Sequence, residues 1–142
     1  MIGTTIGPYR VVRKLGAGGM GAVFEAVHEA IERRVSIKVL HPEYAKNAEF
    51  AQRFFNEARA VNRADHPGLV QVSDYGQLPD GTAYIVMELV KGQTLGQRLQ
   101  QLGAMPVAEV LRIGLQIADS LAAAHAKNIV HRDRILPSRI AV

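Results

Sequence analysis

The pattern of apolar and polar positions reads as strands over the first 40 residues. Tyr9-Arg10-Val11-Val12-Arg13-Lys14-Leu15 runs into a glycine cluster, and Ala22-Val23-Phe24-Glu25-Ala26-Val27-His28 resumes a largely apolar pattern. Val35-Ser36-Ile37-Lys38-Val39-Leu40 is rich in β-branched residues, which favour a pleated strand. Short connections between these three segments predict an antiparallel meander that stops at Pro42. From Asn47 the period lengthens, and Phe50, Phe54, Ala58 and Val61 fall on one face of a helix, with Arg53, Arg59 and Arg63 mostly off it. Two further strands are expected over 69–76 and 82–89, separated by the turn-forming Pro79-Asp80-Gly81. The pattern therefore predicts a five-stranded antiparallel sheet with one inserted helix. After the connector Lys91-Gly92-Gln93 a short helix is expected over 95–102. A longer one opens with Pro106 in its first turn and reaches about Lys127, with Val110, Leu111, Leu115, Ala118, Leu121 and His125 in a stripe. Strands first and helices after make an α+β layout of two unequal lobes, 8–90 and 91–142.

Composition acts mainly by exclusion. At 48% hydrophobic and 21% charged residues, the 142-residue chain is globular in character, which removes disordered and fibrous classes. The absence of cysteine removes disulfides and thiolate metal sites and agrees with a reducing compartment. No apolar run is long enough to span a bilayer, and the first residues lack the basic and apolar regions of a signal peptide, so a cytoplasmic location is expected. Residues 1–90 hold ten basic and ten acidic side chains, so the net charge of +4 comes from seven basic against three acidic side chains in 91–142. No block of five like charges occurs, which argues against an arm for nucleic acid or membrane.

Three features carry chemistry. Gly16-Ala17-Gly18-Gly19-Met20-Gly21 contains G-x-G-x-x-G, a pattern that also serves plain flexible turns. In a dinucleotide-binding loop the last glycine opens a helix, whereas here a strand follows, so the glycines join two antiparallel strands. Without side chains, such a hairpin lets backbone N–H groups approach phosphate oxygens. Lys38 is the second feature. Alternation sets Val35, Ile37 and Val39 on one face and Ser36, Lys38 and Leu40 on the other, leaving a cation in mid-strand that either snorkels from an edge or meets an anion. Glu57, three residues after Phe54 and four before Val61, lies on the expected packing face of the helix. A buried carboxylate without a partner costs about 3–5 kcal/mol, so Glu57 is expected to pair with Lys38. The third feature is His131-Arg132-Asp133, which follows the long helix.

In this order, the glycine hairpin ending Gly21-Ala22-Val23, Val35-Ser36-Ile37-Lys38, Glu57, His66-Pro67, Tyr84-Ile85-Val86-Met87-Glu88-Leu89-Val90 with Gly92 and Leu95, and His131-Arg132-Asp133 resemble the protein kinase family. Gly-Gly-Met in the loop is most similar to bacterial serine/threonine kinases of the eukaryotic-like type. The resemblance spans nearly the whole chain from about Tyr9. It implies a bilobal kinase fold with ATP and magnesium between the lobes and transfer of the γ-phosphate to protein Ser or Thr hydroxyls. By position, Leu15, Gly16, Ala17, Gly18, Gly19, Met20, Gly21 and Val23 would cover the phosphates and adenine. Lys38 would contact the α- and β-phosphates with Glu57 as its anchor. Ser36 stands where an alanine usually meets the adenine ring, Met87 takes the gatekeeper position, and the backbone of Glu88 and Val90 would bond the adenine edge. Asp133 would accept the proton of the substrate hydroxyl, and Arg132 resembles the arginine that pairs with a phosphorylated activation loop. Val61, Val72 and His131 would join the apolar column between the lobes.

The resemblance breaks after Asp133. Where the family continues Leu-Lys-Pro-x-Asn, this chain has Arg134-Ile135-Leu136-Pro137-Ser138-Arg139, without the lysine for the γ-phosphate or the asparagine for magnesium. It ends at Val142 before any D-F-G, so the magnesium ligands are missing, no metal-binding residue is assigned, and negligible activity is expected of 1–142 alone. The helical stripe, lacking the rest of the large lobe, is expected to cause self-association. Two functions stay open: the ATP-binding part of an active Ser/Thr kinase, or a pseudokinase-like module that binds nucleotide or a partner. No residue identifies the protein substrate.

Overall fold

The computed structural model describes residues 1–129; the His131-Arg132-Asp133 sequence and everything after it lie outside them. Six strands, β1 (Thr5–Ile6), β2 (Tyr9–Ala17), β3 (Gly21–His28), β4 (Arg33–Leu40), β5 (Val72–Gln77) and β6 (Ala83–Glu88), form one antiparallel sheet in the order β1-β2-β3-β4-β6-β5. The expected five strands are present, and β1 is an addition. Two residues are too short to show alternation, yet Ile6 is only 2% exposed and Thr5 pairs with Arg10 across a turn at Gly7, whose φ is +54°. Tertiary burial of one isoleucine thus carries the sheet outside the expected 8–90 range. Register shifts leave Val12 and Leu15 as extra residues in β2, and such bulges bend a strand and increase its twist.

Each face of the sheet has its own core, as the alternation in β4 requires. Val35, Ile37 and Val39 pack with Ile6, Tyr9, Val11, Phe24, Ala26 and Val86. Leu40, Ala83 and Ile85 pack instead with Phe54. Phe54 belongs to α2 (Ala48–Ala64), which is preceded by a four-residue helix that the sequence pattern did not show, α1 (Pro42–Ala45). Pro42 both ends β4 and opens α1, because its missing N–H costs nothing in a first helical turn. At its other end α2 is tied to β5 by Asn62, whose side chain accepts the Val72 N–H at 2.8 Å and donates to the Val72 carbonyl.

By internal contacts the chain divides into two units, 1–62 with 70–89, and 63–69 with 90–142. The segment 63–69, expected in the first lobe, groups with the second, and within that unit His66 Nε2 bonds Asp119 at 2.7 Å. The second unit contains α3 (Leu95–Leu102), opened by a reciprocal capping box of Thr94 and Gln97, and α4 (Val107–Ala126). Pro106 stands just before α4 rather than in its first turn. Arg98 of α3 bonds Glu109 of α4 at 2.6 Å. Ile113 and Ala124 are buried, while Val110, Leu111, Leu115 and Leu121 are exposed.

Candidate functional site: a sheet face beside a glycine hairpin

Directly opposed residues of an antiparallel sheet share a face, so the register assembles the site. One row runs Gly16, Val23, Lys38, Ile85, and the next runs Arg13, Glu25, Ser36, Met87. Val23, Ser36, Lys38 and Met87, expected together in the site, therefore lie side by side on one face of the sheet. Val23 and Ser36 are buried there, and Lys38 is half-buried with its Nζ 5.7 Å from the centre of the Phe54 ring. That distance brings the ammonium within reach of the ring's negative face.

The β2–β3 hairpin continues from this face. Gly16 pairs with Val23 and Ala17 with Ala22, and the Gly18 N–H donates to the Gly21 carbonyl at 2.9 Å, closing a tight tip. The three glycines at that tip answer different constraints. A Cβ on Gly21 would stand 2.3 Å from the Val39 carbonyl oxygen, so close approach of β4 excludes any side chain. A Cβ on Gly18 or Gly19 would meet nothing within 4 Å. With no side chain on Gly18 or Gly19 and open space beside them, the backbone at the tip can be approached closely by another group.

Glu57 is the site residue the structure moves. It is exposed on α2, not on the packing face. The face α2 buries carries Phe54, 4% exposed, with Ala51, Phe55 and Ala58 partly buried around it, and at about 100° per residue Glu57 comes out roughly a third of a turn from the centre of that group. Lys38 is directed at Phe54, one turn earlier. The carboxylate that the site face does bury is Glu25, at 1% exposure and opposite Ser36. Its two oxygens accept Arg13 Nε at 2.6 Å and Arg34 Nη1 at 2.8 Å, the double pairing that a buried carboxylate requires. Glu25 is two residues from Val23 in the same strand, so alternation alone was enough to place it on this face.

A glycine hairpin and a mid-strand lysine thus lie on one face of the antiparallel sheet, with helices inserted after the lysine strand. A protein kinase domain profile matches residues 9–135. The chain belongs to the protein kinase family. It is 41% identical over 146 residues to the serine/threonine-protein kinase PknA of Mycobacterium tuberculosis, covering 99% of this chain and 34% of PknA. PknH of Mycobacterium bovis is 38% identical over 141 residues, covering 99% of this chain and 23% of PknH. Among solved structures, the kinase domain of Mycobacterium tuberculosis PknI superposes with a TM-score of 0.74 at 36% identity, covering 94% of this chain and 54% of that one. The chain thus spans about a third of the length of PknA, and its relatives are named as serine/threonine kinases, a transferase class.

Within a kinase fold the remaining expected residues fall as follows. Leu15 is the bulged residue before Gly16, and Met20 is exposed at the hairpin tip. The Glu88 N–H donates to the Gln71 carbonyl at 3.1 Å, so this N–H is already engaged. The Glu88 side chain accepts from the Gln71 N–H at 3.0 Å. Val90 is exposed and belongs to the second unit. Asp133 lies outside the described residues. Among the described residues no three His, Asp or Glu side chains stand together to hold a metal ion, and no helix is long and apolar enough to cross a membrane.

Proposed function

We propose that this chain is the ATP-binding part of a Ser/Thr protein kinase. The observation that supports it best is the register that places Val23, Ser36, Lys38 and Met87 on one face beside a hairpin whose tip has open space at Gly18 and Gly19. In this reading the hairpin N–H groups hold phosphate oxygens and Lys38 neutralises the α- and β-phosphates. The small Ser36 leaves room for the adenine ring beside Met87, and the Glu88 carbonyl and Val90 backbone bond its edge. Asp133 orients the acceptor hydroxyl and takes its proton. ATP would supply the phosphoryl group, and the magnesium that would balance its charge has no cluster of ligands among the described residues. Glu57 anchors Lys38 only after α2 turns about its axis, since it is exposed in the structure.

The departures after Asp133 set the limit of this proposal. With neither the phosphate-binding lysine nor the metal-binding asparagine in 134–139, residues 1–142 bind nucleotide but transfer phosphate negligibly. A second reading, a pseudokinase-like module that signals by binding nucleotide or a partner, rests on that same segment. ATP at a hundred times its Kd stabilises a folded protein by about 2.7 kcal/mol, and a tenfold weaker Kd halves that gain. Calorimetric melting with and without ATP is therefore expected to show an ATP-dependent rise in Tm that Lys38→Met cuts by half or more. An equal rise in both proteins removes Lys38 from the site. Phosphate transfer to a protein substrate by 1–142, abolished in Asp133→Asn, would overturn the predicted inactivity.

A further inference from the structure

We propose that His41 is a positioning residue that holds the glycine hairpin in its phosphate-cradling shape. His41 follows β4 directly and precedes α1, with extended backbone at φ −66° and ψ 144°, and its side chain makes no capping bond to that helix. The ring turns toward the hairpin instead, and its Nε2 lies 3.0 Å from the Gly18 carbonyl oxygen. A carbonyl can only accept, so Nε2 carries the proton, and both the neutral tautomer and the imidazolium donate from there. The backbone N–H of the same residue donates to the Met20 carbonyl at 3.1 Å. One residue thus grips the outgoing arm of the tip at Gly18 and the returning arm at Met20.

Besides its own Gly18 N–H bond to the Gly21 carbonyl, the tip has little to hold it. Gly18 and Gly19 carry no side chain to pack and have more backbone freedom to lose than any other residue type. Gly21 is set against Val39, but nothing lies within 4 Å of where a Cβ of Gly18 or Gly19 would stand. A bond from His41 to Gly18 therefore lowers the entropy lost when the N–H groups close on phosphate, without the ring touching the ligand. This consequence rests on the ATP reading above, whereas the hold on the hairpin does not.

The test uses the 142-residue chain as wild type, His41→Ala and His41→Gln, the glutamine amide supplying a donor near the position of Nε2. In the absence of nucleotide, amide hydrogen exchange at Gly18 to Gly21 is expected to quicken several-fold in His41→Ala and to return toward wild type in His41→Gln, with the β3 and β4 amides unchanged. Equal exchange in all three, or no recovery in His41→Gln, overturns the proposal. ATP titration is then expected to show about fivefold weaker binding in His41→Ala, the effect of one net hydrogen bond, and recovery in His41→Gln. A loosened hairpin with unchanged ATP affinity overturns the positioning consequence. A wild type that binds no ATP overturns the ATP reading, and the exchange comparison still decides whether His41 holds the hairpin.

Discussion

Gly19 and Gly21 belong to one motif and answer to different forces. The Val39 carbonyl oxygen at 2.3 Å leaves no room for a Cβ on Gly21, so Gly21→Ala must displace β4 or the hairpin. The expected loss is about 1–3 kcal/mol, the usual range for forcing a methyl into a packed site, and a urea midpoint measures it. Gly19→Ala points a methyl into open space and is expected to leave stability within about 0.5 kcal/mol while weakening ATP binding, because the methyl occupies the cradle. Similar loss of stability from both substitutions would show that the hairpin is packed throughout. The motif spacing marks both glycines and cannot separate them, because the neighbour that decides the matter is 18 residues further along the chain.

At the scale of elements, two contacts fasten parts of the sheet. Asn62, at the C-terminal end of α2, satisfies the N–H and the carbonyl of Val72 together, as a neighbouring strand would. Water can replace these bonds at an exposed side chain, so Asn62→Ala is expected to cost about 1 kcal/mol by urea denaturation. Faster exchange of the Val72 amide would locate the loss. The β5–β6 turn depends on Asp80, whose carboxylate accepts the Thr82 N–H at 2.9 Å, with Gly81 at φ +86°. That backbone bond, followed by one from the Thr82 side chain, holds the Asp80 carboxyl below its ordinary range. The unfolded chain then takes up the proton at higher pH than the folded one. The stabilisation is complete above the ordinary carboxylate pKa and is lost as pH falls through the depressed folded value. An NMR titration of Asp80 is expected to show the lowered midpoint, and Asp80→Asn to remove this part of the acid dependence. A midpoint in the ordinary range would mean that the turn does not favour the ionised form.

At the scale of the whole molecule, α4 presents Val107, Leu111 and Leu115 at 75%, 63% and 72% exposure. With Val110 and Leu121 they make an apolar surface larger than a scatter of single residues. The match to PknI covers 54% of that kinase domain, and residues 1–142 alone are expected to self-associate through this helix. Sedimentation velocity is expected to show oligomers that Leu111→Glu with Leu115→Glu reduces to monomer, with the ATP-dependent rise in Tm unchanged. Oligomers that persist in the double variant would place the contact elsewhere.

Periodicity determined which residues could share a face. A strand repeats every two residues, so Lys38 had to fall opposite Val35, Ile37 and Val39, beside Ser36 and Leu40, and it does. The glycine hairpin was equally legible, since the largely apolar Ala22 to His28 reads as a strand rather than the start of a helix, and it forms β3. The rotation of α2 about its axis was not. A stripe of Phe50, Phe54, Ala58 and Val61 and one of Ala51, Phe54, Phe55 and Ala58 differ by a fraction of a turn. Packing against Leu40, Ala83 and Ile85 chose the second, leaving Glu57 exposed. Likewise, only the tertiary structure shows Ile6 completing the sheet, Glu25 between two arginines, and His41 against Gly18. Each of these depends on where a distant segment comes to lie, and local periodicity carries no information about that.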